Sequence, residues 1–196
     1  MKKSSFLLKA MMRPLFNFTL VLLAYLLQLT LMPELRFWDV TPSLLFAMVA
    51  IYSVSYGKLH AFWIGAFYGI VLETMQPTRE LFSLLIYPVA ALLGSVIFSD
   101  KSSRQLEYER SLGRSGRNVT PFLRMPLCAA LNTIVYEVVN VTYIYLREGA
   151  IAGNAIGRAV LNVVLTTLLT IILMYPVRRM MGFKPVKPEP EAPKLY

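Results

Sequence analysis

Long stretches without any charge constrain this chain more than any other feature. Residues 14–33, 81–99 and 159–177 contain no Asp, Glu, Lys or Arg. A helix of roughly 18 apolar residues is long enough to cross about 30 Å of hydrocarbon. Three such runs in 196 residues imply an integral membrane protein. Composition points the same way, with 56% of residues hydrophobic and 16% charged, whereas soluble domains sit near a quarter charged.

Six spans follow from apolar runs and their punctuation. The first is Pro14–Met32, closed by Pro33, and the second is Val40–Gly57, opened by Thr41-Pro42, since proline suits a first helical turn. The third runs from about Leu59 past Glu73 to Gln76, where Pro77 ends it. The fourth is Leu81–Ser99 and carries Pro88, where a kink is expected. The fifth is about Met125–Leu146 and the sixth about Ala159–Val177, stopped by Pro176 and the pair Arg178-Arg179. The fold class is therefore all-α, a bundle of six transmembrane helices forming a single domain over residues 1–183. The polar segment Asp100–Arg124 is expected to be a loop, and the proline-rich residues 184–196 an extended, unpacked tail. The N-terminus has the basic residues of a signal peptide. Its apolar stretch is too long for one, and no small-residue cleavage site follows, so it reads as a retained first helix.

Charge sets the orientation. If the N-terminus is cytoplasmic, 16 of the 20 Lys and Arg residues fall on the inner side and only Arg36, Arg79, Arg147 and Arg158 on the outer. That asymmetry is a strong positive-inside signal and places both termini in the cytoplasm. It also explains the net charge of +9 without nucleic acid. One cysteine, Cys128, excludes an internal disulfide and multi-thiolate metal sites. One histidine, His60, excludes the metal patterns that need several. No glycine-rich nucleotide loop is present, and no cofactor is implied.

Two constellations stand out inside the spans. Gly57, Ala61, Gly65, Gly69 and Glu73 recur every four residues, which places them on one helix face. Small residues let a second backbone approach closely. The partner on that face is either another helix of the bundle, with Ala90, Ala91, Gly94 and Ser95 as its complement, or a helix of another protein. The second constellation surrounds Glu137 near the middle of the fifth span, with Asn132, Tyr136 and Asn140 spaced four apart. A carboxylate at that depth costs a few kcal/mol to insert, so it is expected to be neutral, hydrogen-bonded or facing water. Thr166, Thr167 and Thr170 lie at similar depth and are its expected partners. Glu137 is then either polar glue between helices or a proton or substrate site.

Several segments read in order resemble one family. They are "LLQLTLMP" (Leu26–Pro33), "TPSLLFAMVAIYSVSYGK" (Thr41–Lys58), "GAFYGIVLE" (Gly65–Glu73) and "MYPVRR" (Met174–Arg179). They are similar to the rod shape-determining protein MreD family of small bacterial inner-membrane proteins. That family has Gln…Pro closing its first span and Pro-Asp-Leu-Leu opening its second. It has Gly-x3-Gly-x3-Asp in its third span, and Pro followed by basic residues ending its last. Ser43 and Glu73 both stand where the family usually has Asp; the second exchange keeps the charge and the first loses it.

The resemblance implies a non-enzymatic, multi-pass scaffold in the bacterial cytoplasmic membrane. Its partner would be an MreC-like membrane protein. Through that protein it would reach the MreB filament, a RodA-type glycosyltransferase and a class B penicillin-binding protein. The expected role is to support peptidoglycan synthesis and maintain cell shape. The runner-up is the substrate-binding subunit of an energy-coupling-factor vitamin transporter, which has a similar fold. Such subunits usually carry Ala-x3-Ala in the first span, where this chain has only Ala24. A membrane-embedded enzyme comes last, with only Glu73 and Glu137 to work with.

Overall fold

A computed structural model describes residues 2–75, 82–98, 108, 111–113, 120–149 and 153–182. Among these residues the chain forms six helices and no strand. They are α1 (Lys2–Thr30), α2 (Leu44–Tyr56), α3 (Lys58–Met75), α4 (Phe82–Phe98), α5 (Pro121–Glu148) and α6 (Ala155–Met180). Two of them, α5 and α6, are long and apolar enough to cross a membrane.

The helix α2 is the axis of the bundle. It packs against each of the other five helices, and every residue from Leu44 to Val54 is buried. A helix apolar on all sides has no solvent face and has to sit in the middle. The outer helices show the reverse pattern. On α1, Leu20, Val21, Ala24 and Tyr25 turn inward while Leu22, Leu23, Leu26 and Leu27 face out. On α6, Ile156, Val160, Val164, Leu168 and Ile172 form an exposed apolar stripe. The interior meanwhile holds Ser53, Ser95, Asn132, Thr133, Thr166 and Thr170. An apolar exterior around a partly polar core suits hydrocarbon rather than water.

Several expected boundaries move, each for a local reason. Pro42 does not open α2. Ser43 is its N-cap, accepting the Phe46 N–H on its hydroxyl, and Pro42 precedes the cap. The residues before it make a tight reversal in which Phe37 and Val40 exchange two backbone hydrogen bonds. Trp38 and Asp39 there take positive φ of 44° and 64°. That conformation is strained for residues other than glycine, and Asp39 is held by ion pairs to Arg36 and Arg158. Proline opens α5 instead, at Pro121, four residues before the expected start at Met125. The expected loop 100–124 is shorter by the same amount, and most of it lies outside the described residues, as does the 184–196 tail. Pro176 does not stop α6 either. Proline removes one backbone hydrogen bond, and the helix continues through it to Met180. The chain turns at Gly182, at φ +78°, with its N–H on the Arg179 carbonyl. At its other end α6 starts at Ala155, one turn before Ala159.

Candidate functional site

The residues singled out from the sequence fall into two places. One is the seam between α3 and α4. Gly57 is not part of it: this residue is the C-cap of α2, at φ +87°, and it joins α2 to α3 by itself. The stripe therefore begins at Ala61, which is fully buried. At Gly65 an added Cβ would lie 2.8 Å from the Tyr87 carbonyl oxygen and 2.9 Å from the Ala91 methyl. At Gly69 it would lie 2.8 Å from the Ser83 carbonyl oxygen and 3.0 Å from the Leu84 Cα. Both glycines thus lie directly against the backbone of α4. Glu73 closes the seam, its carboxylate accepting the Ser83 N–H at 3.2 Å. Ser83 is the second residue of α4, so Glu73 caps a helix N-terminus, where an anion also meets the positive end of the helix dipole. The small residues of α4 are divided between neighbours: Ala91 faces Gly65, whereas Gly94 meets Asn132 and Cys128 of α5.

The second place is the start of α2, which is recessed within the bundle. The first N–H groups of a helix lack intrahelical acceptors, and where water is excluded the protein has to supply them. Here α1, α6 and the cap itself do so. Gln28 Oε1 accepts the Leu44 N–H at 2.6 Å, Thr166 Oγ1 accepts the Ser43 N–H at 3.0 Å, and Ser43 Oγ accepts the Phe46 N–H. From Thr166 the chain of bonds runs outward. Thr166 donates to Asn162 Oδ1 at 3.2 Å, and Asn162 Nδ2 donates to Glu137 Oε1. On the other side lies Tyr87, whose hydroxyl faces the Ser43 side chain. The Tyr87 ring stacks on Phe46 with centroids 4.5 Å apart, and Tyr136 packs against both at 5.9 and 5.3 Å. The start of α2, at Ser43 and Leu44, thus joins α1 and α6 through Gln28 and Thr166, while Tyr87 of α4 packs on Phe46 one turn further in.

The partners expected for Glu137 need correction. Thr167 and Thr170 donate to the carbonyls of Val163 and Thr166 on their own helix. Thr166 reaches Asn162 and Ser43, and the residue that meets Glu137 is Asn162. Nor do Tyr136, Glu137 and Asn132 of α5 face the same neighbours. Tyr136 and Glu137 are adjacent in sequence and so about 100° apart around the helix. Tyr136 turns toward α2 and α4, and Glu137 toward α6. Asn132 lies elsewhere, fully buried beside Cys128 and Gly94, its Oδ1 without a hydrogen-bond donor. Asn140 is half-buried one turn beyond Tyr136. Among the described residues, no three His, Cys, Asp or Glu side chains gather in a group able to hold a metal ion.

Two concave regions flank α6. One, of about 740 Å³, lies between Trp38 and Asp39 and the first turns of α6, with Asn154, Arg158 and Leu161 on its walls. The other, about 320 Å³, is a groove between α5 and α6 that contains Glu137. No protein-family model, curated protein or solved structure matches the chain.

Proposed function

We propose that the chain is a non-enzymatic scaffold of the bacterial cytoplasmic membrane that spans it six times with both termini inside. It would associate with an MreC-like protein to support peptidoglycan synthesis and rod shape. The observation that carries this reading is what the motif residues do. Gln28 and Ser43, from the two segments of the resemblance nearest one another, cap the same buried helix start. Gly65, Gly69 and Glu73 hold α3 to α4. These residues are occupied in building a rigid bundle, and reactive chemistry does not require them in those roles.

The test is deletion of the gene in its host, with imaging of cell shape, together with co-purification in mild detergent. The expected outcome is rounded cells on deletion, rescue by the wild-type chain, and recovery of an MreC-like protein with it. Rod-shaped deletion cells and no such partner would reject the scaffold. The 740 Å³ cavity favours a second reading, a vitamin-binding transport subunit. That reading requires a small molecule to co-purify in near-stoichiometric amount with an energy-coupling module.

A further inference from the structure

We propose that the groove between α5 and α6 is the seat of a membrane-spanning helix that carries a lysine or arginine, whose charge meets Glu137. The groove is walled by Ile134, Val138, Ile156 and Val160, all exposed, and Glu137 is the one charged residue lining it. Among the described residues, Asn162 is the single hydrogen-bond donor to this carboxylate. An ionised carboxylate has room for several donors.

Depth decides what supplies them. Along the 28 residues of α5, Glu137 lies about 24 Å from Pro121 and about 16 Å from Glu148. In the six-span reading this is within the hydrocarbon, where acyl chains carry no donor and headgroups do not reach. The donor then comes from a side chain on another spanning helix, and the complement of a carboxylate in a low dielectric is a cation. A second copy of this chain does not fit. Residues 14–33, 40–57, 81–99 and 159–177 carry no charge, and within 59–76 and 125–146 the only charged residues are the acids Glu73 and Glu137. The occupant is therefore a different protein with one basic residue in an otherwise apolar span.

The inference rests on the scaffold reading for the identity of that protein, while the groove is tested without it. The full chain is reconstituted in phosphatidylcholine bilayers with synthetic leucine-rich helices of about 20 residues, one set with a central lysine and one without. Binding is read by energy transfer between labels. The expected result is binding of the lysine helix about tenfold tighter than the plain one, loss of that preference in Glu137→Gln, and weakening of both in Val138→Trp, which fills the groove from an exposed position. Equal binding of the two helices by the wild-type chain, or an intact preference in Glu137→Gln, overturns the proposal. In cells, an MreC-like protein that co-purifies equally with wild type, Glu137→Gln and Val138→Trp overturns the groove but leaves the scaffold reading standing. Failure to recover that protein with the wild-type chain rejects the scaffold, and the peptide experiment still judges the groove.

Discussion

The α3–α4 seam and the recessed start of α2 hold the bundle together by opposite means. In the seam, Gly65 and Gly69 bring backbone against backbone, and up to Glu73 the contact is one of shape. At the start of α2, side chains from α1 and α6 supply hydrogen-bond acceptors to N–H groups that the helix itself leaves unpaired. The first region is intolerant of added atoms and the second of removed ones. Lipid tails are as apolar as leucine, so apolar contact alone barely favours helix association in a membrane. In the six-span reading proposed above, close approach and satisfied polar groups are what remain, and each is found in a separate place.

The largest effect expected from breaking this division is in the seam. Gly69→Leu places a side chain into the Ser83 carbonyl and the Leu84 Cα. Both are backbone atoms, so no rotamer change relieves the clash. Overpacking of this kind costs about 3 kcal/mol, and thermal melting in mild detergent should show a large drop, with little folded protein recovered. A Gly69→Leu variant that melts like wild type would mean that α3 and α4 are further apart than described.

The polar junction should respond less strongly, and to atoms removed rather than added. Thr166→Val keeps the volume but leaves the Ser43 N–H without its acceptor and Asn162 Oδ1 without its donor. An unsatisfied buried polar group costs about 2 kcal/mol. Thr166→Ser restores the hydroxyl and should recover most of the loss in the same melting experiment. If Val and Ser behave alike, the hydroxyl does not cap α2.

How much of this was legible in the sequence depends on which force set each feature. The uncharged runs exposed the helical architecture because hydropathy is local. The stripe at Ala61, Gly65 and Gly69 was visible because helical period is local too. That its seam lies against α4 was one of two open choices, since nothing in a row of glycines names the helix it meets. The partner of Glu137 was missed by one helical turn. With α6 expected to start at Ala159, Thr166 stood seven residues in. The helix starts at Ala155, and Asn162 occupies that depth. The charge of Arg158 encouraged the late start, though the helix takes it into its first turn, and an asparagine flanked by Leu161 and Val163 was itself the available signal. The capping of α2 by Gln28 and Thr166 brings together residues 16 and 123 positions from their partners, a pairing that no local pattern encodes.

Glu137 belongs to the polar side of the comparison but at its edge, half-buried and open to a groove. In the isolated chain, Glu137→Gln keeps an oxygen for the Asn162 amide and should change stability by about 1 kcal/mol or less. Glu137→Lys sets a cation against that amide donor in an apolar groove, and the folded yield should fall well below that of the Gln variant. Equal yields of Gln and Lys variants would show that the position is wetter than a groove between two spanning helices allows.

The smallest effect sharpens the comparison most. Ser43 is the cap on which the junction turns, and the resembling family has Asp there. Serine and aspartate cap comparably, and alanine at an N-cap costs about 1 kcal/mol. An ionised Asp at 43 would accept the Phe46 N–H and would meet the positive end of the α2 dipole. Against this stands the burial of a charge not far from Glu137, which is linked to Ser43 through Asn162 and Thr166. These terms oppose one another and are of similar size, so Ser43→Asp should shift stability by only about 0.5 kcal/mol, while Ser43→Ala loses the full cap. Melting of the two variants side by side decides the matter. A severe loss in Ser43→Asp with a mild one in Ser43→Ala would mean that the position is selected against charge, and that the junction is built around a neutral hydroxyl rather than a helix cap.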